Sequence, residues 1–284
     1  MTPRRVFAIR PEAAFVQVLT GLLEKRDCDV EICSGNVEAV HRLRTRAADV
    51  VVSDPSTTVE EDLALAKELR CLRPATRMIM LAPRATHAEL VEAIRADVFA
   101  CFTPPFDYHD VAAMVSSALD GDGWQDGIQV VSGLPHWLTL RVSCHLLTAD
   151  RLVRFITELQ PETPNADRDL LMAAFRELLL NAMEYGAGFD AEKVVEVTAA
   201  RTARAIVYHF KDPGAGFDRE DLAHATASAS TEAVMAATAR RVEQGLRPGG
   251  FGMLIVRQVA DEIVYNESGN EVILIKHIDS PEPR

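Results

Sequence analysis

Glu177 and Asn181 stand four residues apart in the stretch Phe175-Arg-Glu-Leu-Leu-Leu-Asn-Ala-Met-Glu-Tyr-Gly186. On a helix that spacing stacks a carboxylate and an amide on one face, one turn apart. Their neighbours Leu170, Leu171, Ala174, Phe175, Leu178, Leu179, Ala182 and Met183 are those of a buried helix. Two polar groups in an apolar setting are costly unless something engages them. Downstream, Asp212-Pro-Gly-Ala-Gly216 follows a β-rich run, and Gly249-Gly-Phe-Gly252 precedes a helical one. A Glu-x-x-x-Asn helix, an Asp-x-Gly-x-Gly turn and a glycine-rich helix start, in that order, point to ATP.

The elements that must position these residues fall into two halves. Residues 1–120 alternate short β runs with helical patterns, which predicts an α/β domain with a five-stranded, doubly wound parallel sheet. Val6–Ile9, Asp29–Cys33, Ala48–Asp54, Arg77–Leu81 and Phe99–Phe102 are the expected strands, and Asp54 closes the third. Residues 121–127, polar and glycine-rich, form the expected linker. Residues 128–284 predict an α+β domain. Its expected elements are a strand at Thr139–Val142, a helix at Ala149–Leu159 and the Glu177 helix capped by Asn165 or Asp167. After these come a strand pair (Val194–Ala200, Ala205–Lys211), a helix at Gly250–Asp261 and a closing hairpin over Ser268-Gly269.

With 284 residues, 48% of them hydrophobic, the chain has room for two folded domains. A net charge of −12 and the lack of a Lys/Arg run exclude nucleic acid as the main partner. No apolar run reaches membrane-spanning length, and Met1-Thr-Pro-Arg-Arg-Val-Phe7 has no signal-peptide core, so no membrane partner is expected and the location expected is cytoplasmic. The five cysteines form no Cys-x-x-Cys pair and read as free thiols.

The first half resembles a response-regulator receiver domain: five βα units, Asp54 at the phosphoacceptor position, and Thr103-Pro-Pro-Phe106 after the fifth strand. It departs from that family where the chemistry sits. Arg10 and Pro11 occupy the positions of the acidic metal-binding pair, Ala82 that of the switch hydroxyl, and Pro104 that of the lysine. Acyl-phosphate formation needs a metal and a cation to neutralise the incoming phosphoryl group. Asp54 is therefore expected to pair with Arg10 and to be inactive as a phosphoacceptor, which makes this half a pseudo-receiver used for docking or dimerisation.

The second half resembles the Bergerat-fold (GHKL) ATPases, a group that includes histidine kinases, gyrase-type topoisomerases, heat-shock 90 chaperones and anti-sigma-factor serine kinases. The resemblance implies that Asn181 holds Mg²⁺ and that Asp212 accepts the exocyclic amine of adenine. It implies that Gly214 and Gly216 let the backbone turn against the base, and that Gly249, Gly250 and Gly252 cradle phosphate at a helix N-terminus. Residues 218–248 would be a lid over ATP. Tyr185 stands where the family usually has His, and Asn270 where the last hairpin often has Thr. Glu177 occupies a position that is mostly Asn in histidine kinases; a carboxylate there suits transfer to a Ser/Thr hydroxyl or to water. The roughly 30 residues after Gly252 are too few for a transducer domain. This chain is thus most similar to the anti-sigma-factor serine kinases. The expected activity is ATP- and Mg²⁺-dependent phosphorylation of a small antagonist protein, with sequestration of a sigma factor as a second capacity and a homodimer left open. The alternatives are a catalytically weak, nucleotide-gated binding module or a non-standard histidine kinase.

Overall fold

The computed structural model describes residues 3–24, 26–120, 127–160, 165–216 and 251–278. The chain divides into two compact units, residues 1–126 and 127–284.

In the first unit five strands, β1 (Arg4–Ile9), β2 (Cys28–Cys33), β3 (Val50–Val52), β4 (Arg77–Leu81) and β5 (Ala100–Phe102), form one parallel sheet in the order β2-β1-β3-β4-β5. The connecting helices are α1 (Ala13–Leu23), α2 (Asn36–Thr45), α3 (Val59–Leu72), α4 (His87–Arg95) and α5 (Tyr108–Asp120). Central strands of such a sheet are covered on both faces and so read as continuous apolar runs. Accordingly Val6 to Ile9, Val50 to Val52 and Met78 to Leu81 are all buried. Two helices start on full capping boxes, Thr58 with Glu61 and Thr86 with Glu89. Each box satisfies two otherwise orphaned backbone donors. β3 is shorter than its apolar run suggests, and Asp54 lies two residues past its end, at the C-terminal edge where open α/β sheets carry their chemistry.

In the second unit β6 (Ile128–Leu134), β7 (Trp137–Ser143), β8 (Val194–Arg201), β9 (Ala205–Lys211), β10 (Glu262–Tyr265) and β11 (Glu271–His277) form a wholly antiparallel sheet in the order β10-β11-β9-β8-β7-β6. Among the described residues its helices are α6 (Leu146–Glu158), α7 (Asn165–Asn181) and α8 (Phe251–Val259). Helix α7 lies on the sheet through Phe175, whose ring meets Tyr208 edge-on at 4.8 Å and Phe210 at 5.0 Å. Such pairs add about 1 kcal/mol to the burial of the rings themselves.

The structure corrects the expected elements at two points. The strand before α6 is the second of a hairpin, because β6 precedes it. Helix α7 already includes Asn165, so neither Asn165 nor Asp167 caps it, and Asp167 sits in its first turn. Among the described residues no helix is long and apolar enough to cross a membrane.

Candidate functional site

The site is assembled on the last two turns of α7. Leu171, Ala174, Phe175, Leu178 and Leu179 are buried on its inner face, while Arg176 points outward to Asp150 of α6 at 2.8 Å. That packing leaves Glu177 and Asn181, both half-buried, along one ridge. Helix α8 lies against this ridge. A Cβ on Gly252 would stand 1.9 Å from Glu177 Cδ and 2.3 Å from Oε2, closer than real carbon contacts allow. Glycine at 252 is therefore what lets the first turn of α8 abut the carboxylate. One residue on, Met253 Sδ accepts a long contact of 3.6 Å from Asn181 Nδ2. The amide nitrogen is thus turned to sulfur, and Oδ1 is the atom with the chemistry to ligate a hard cation.

After Asn181 the helix widens into a single π turn, Ala182–Gly186. Such bulges recur at functional sites because they re-aim the chain without ending the helix. Here the turn brings Gly186 onto the side chain of Asp212, where an added Cβ would lie 2.2 Å from Asp212 Cγ.

Asp212 follows β9 directly. Its Oδ1 accepts the Gly214 N–H at 2.8 Å, and its own N–H donates to the Asn270 carbonyl at 3.0 Å. Burial pushes the Asp212 carboxyl above the usual carboxylate range, and the Gly214 N–H opposes that shift. The β10–β11 hairpin completes the floor. Asn270 Nδ2 reaches the carbonyls of Asp212 (3.5 Å) and Gly214 (3.4 Å), while Asn266 Nδ2 holds Asn270 Oδ1 at 2.8 Å. Gly216 has φ +83°, and a Cβ there would strike the Ser268 carbonyl at 1.7 Å. Only glycine takes that backbone conformation at such close approach without strain.

The structure thus brings Glu177, Asn181 and Gly252 together, and separately gathers Asp212, Gly214 and Gly216 one π turn further on. Gly249, Gly250 and the expected lid, including Arg247 and the Ser/Thr cluster 226–231, lie outside the described residues. Gly186, Met253 and Asn266 went unassigned in the sequence. Gly186 closes the same box as Glu177, and that placement was the one signal available for it.

In the first unit Asp54 is buried, with Oδ1 accepting both the Ser56 N–H (2.8 Å) and its hydroxyl (2.6 Å). Arg10 Nε lies 3.3 Å from Oδ2 and also donates to the Ser34 carbonyl at 2.9 Å. Ala82 is fully buried after β4, and Pro104 follows β5. Beside Asp54, the buried Asp62 carboxyl accepts hydrogen bonds from Ser53 (2.9 Å) and Thr57 (2.8 Å). Burial pushes it up to about 6, against the pull of those two hydroxyls.

Comparison with known proteins fits this geometry. Residues 6–116 match the response regulator receiver domain family, and residues 146–276 match the histidine kinase-like ATPase domain family. The chain therefore carries a receiver domain followed by a histidine kinase-like ATPase domain. It is 21% identical over 114 residues to the transcriptional regulatory protein ZraR of Escherichia coli, which covers 40% of this chain and 26% of that protein. The chain thus spans about a quarter of the length of that curated relative. Among solved structures it is similar to a CheY-like receiver domain protein from Methanospirillum hungatei (20% identity, 41% of this chain and 94% of that one, TM-score 0.36). It is similar also to a response regulator from Thermotoga maritima (20% identity, 42% and 98%, TM-score 0.36).

Proposed function

We propose that this protein is an ATP- and Mg²⁺-dependent serine/threonine kinase of the anti-sigma-factor type, acting on a small antagonist protein in a partner-switching system. The observation that carries the proposal is the Glu177 carboxylate, seated against the first turn of α8 because residue 252 has no side chain. A hydroxyl acceptor must lose its proton as it attacks the γ-phosphate, and a carboxylate at that end of the site is the group to take it. A histidine acceptor has no such need.

The remaining residues supply binding. The cradle at Asp212, which a Cβ on Gly186 or Gly214 would fill, fits a planar base that donates one hydrogen bond from an exocyclic amine. A carboxyl at that position orients the base and rejects one lacking the amine. Asn181, one helical turn from Glu177, would hold Mg²⁺ through Oδ1. When bound, Mg²⁺ neutralises charge on the triphosphate. Glu177 then serves the acceptor hydroxyl, with Gly252 of α8 against its carboxylate.

The test is transfer of radiolabelled γ-phosphate to a candidate antagonist protein. Glu177→Ala should lower transfer by ~10²–10⁴, the usual worth of a general base, with nucleotide affinity nearly unchanged. Asn181→Ala should damage both affinity and transfer. If the wild type labels no antagonist, or if the two variants behave alike, a nucleotide-gated binding module replaces the kinase.

A further inference from the structure

Asp62 is a carboxylic acid buried in the first turn of α3, remote in sequence from the nucleotide residues of the second unit. Its two oxygens face two hydroxyls: Oδ2 lies 2.9 Å from Ser53 Oγ, and Oδ1 lies 2.8 Å from Thr57 Oγ1. Each hydroxyl has a second partner. Ser53 Oγ accepts the Leu81 N–H of β4 at 3.0 Å, which leaves its own proton for Asp62. Thr57 Oγ1 lies 2.7 Å from the Asp54 carbonyl. That carbonyl also accepts the Thr57 N–H at 3.1 Å, the bond that closes the turn from residue 54 to 57.

A hydroxyl carries one proton, whereas a carbonyl or a carboxylate carries none. One proton cannot make two full hydrogen bonds, so Thr57 cannot serve both the Asp54 carbonyl and an ionised Asp62. When Asp62 is protonated every contact is satisfied, and the bonds run in one direction. Leu81 N–H donates to Ser53, Ser53 to Asp62, Asp62 to Thr57, and Thr57 to the Asp54 carbonyl. When Asp62 is ionised it takes the Thr57 proton, because a charged acceptor is the stronger one. Two oxygens then face each other at 2.7 Å across the turn with no proton between them, and the turn opens at that contact. The same turn carries Asp54, whose Oδ1 holds Ser56, and it ends at Thr58, the cap of α3.

The surroundings favour the protonated form. Burial raises the Asp62 carboxyl most, to about 6; Asp54 from the turn and Glu61 from α3 itself add to it, against the two hydroxyls. Arg10, from the segment after β1, faces Asp54 Oδ2 at 3.3 Å. The charges that α2 and the end of α4 bring to α3 fall further along it, Arg44 on Glu68 and Asp97 on Arg70.

We propose that Asp62 is a proton-operated latch: with its proton it ties the turn at residues 54–57 to β4 through Ser53 and Thr57, and without it the turn is released. The turn that carries Asp54 thereby has an input that needs no phosphoryl group. Every residue of the latch lies in the first unit, so the inference is independent of the kinase reading.

The experiment is site-resolved amide hydrogen exchange of the full chain by NMR, between about pH 5 and about pH 8, with each rate referred to that of an unstructured peptide at the same pH. In the wild type, protection of the residue 57 amide should fall about tenfold across a midpoint near 6, the loss of one hydrogen bond. Asp62→Asn should stay closed throughout, because its carboxamide donates to Thr57 and accepts from Ser53 at any pH. Thr57→Val has no hydroxyl to share and should show no transition, whereas Thr57→Ser should keep it. Asp54→Asn should keep it too, which assigns the proton to Asp62. Should Asp62→Asn fail to fold, the two Thr57 variants decide alone. A wild-type turn indifferent to pH overturns the proposal. So does a transition that survives Asp62→Asn or Thr57→Val, or one that is missing from Thr57→Ser or Asp54→Asn.

Discussion

Gly252→Ala is the most informative single substitution in the site. The new Cβ would lie 1.9 Å from Glu177 Cδ and 2.3 Å from both Cγ and Oε2. Carbon atoms settle at about 3.5 Å or more, so the carboxylate must retreat by about 1.6 Å. Fold stability should change little. The clash falls on a flexible side chain, from Cγ to Oε2, that can swing aside by rotation, and alanine within a helix recovers up to about 1 kcal/mol over glycine. Transfer should change a great deal, because a misplacement of about 1 Å at a reacting group costs on the order of 10²-fold. The expected result is a turnover about 10²–10³ lower, nucleotide affinity within about threefold of wild type, and a melting temperature within a few degrees. Single-turnover phosphoryl transfer, calorimetry with Mg·ADP and thermal unfolding read the three quantities. The double variant with Glu177→Ala should be no slower than Glu177→Ala alone, because both changes act through one carboxylate. Full turnover in Gly252→Ala, or additive losses in the double variant, would refute the assignment of Glu177 as the base.

Three further outcomes are expected. Asp212→Asn should weaken Mg·ADP binding by about 1–3 kcal/mol by calorimetry, the cost of a mismatched buried polar contact, and wild-type affinity would remove adenine from that cradle. Acetyl phosphate with Mg²⁺ should leave Asp54 unlabelled by intact-mass measurement, since Arg10, Pro11, Ala82 and Pro104 stand where the metal, switch and cation groups belong; stoichiometric labelling would show that Arg10 yields its place. The third concerns Asp62, whose folded value of about 6 lies above its ordinary 3.8. A raised carboxyl contributes stability that is present below about 4 and lost as pH rises through 6. At about 1.4 kcal/mol per unit, the wild type should therefore lose up to about 3 kcal/mol relative to Asp62→Asn between pH 4 and pH 7 in denaturant titrations. Parallel pH profiles would mean that folding does not raise the Asp62 carboxyl.

What the sequence disclosed followed from how local each signal is. The βα alternation of the first unit is carried by runs such as Val50-Val-Val52, which carry no period but are short, β-branched and buried on both faces. Glu177 and Asn181 were legible because the i, i+4 spacing lies within one helix. β6 escaped because its register shifts between Val130 and Ser132, so the two-residue alternation that marks a strand is broken in mid-run. Gly186 escaped for a different reason. Its task is to vacate space for Asp212, 26 positions away, and a glycine records nothing about what approaches it. Asp62 carries no signal of its own in the sequence, and only the fold shows that it faces the Ser53 and Thr57 hydroxyls.

The two units treat a similar residue in opposite ways, and the contrast locates the chemistry. Asp54 and Asp212 each follow a strand within two residues. Asp54 is met by groups of its own unit: the Ser56 hydroxyl and backbone N–H on one oxygen, the Arg10 guanidinium beside the other. An incoming phosphoryl group would have to displace the Arg10 cation, which pairs with that oxygen at 3.3 Å without a hydrogen bond. Asp212 is crowded by backbone, by Gly214 through its N–H and by Gly186 through its missing side chain. Backbone groups fixed by a π turn and a hairpin hold a carboxyl in place without neutralising it. A side chain that is oriented yet still able to accept a hydrogen bond is what recognition of a ligand amine requires. The second unit thus presents an oriented carboxyl at Asp212, and the first keeps the receiver fold with Arg10 beside Asp54.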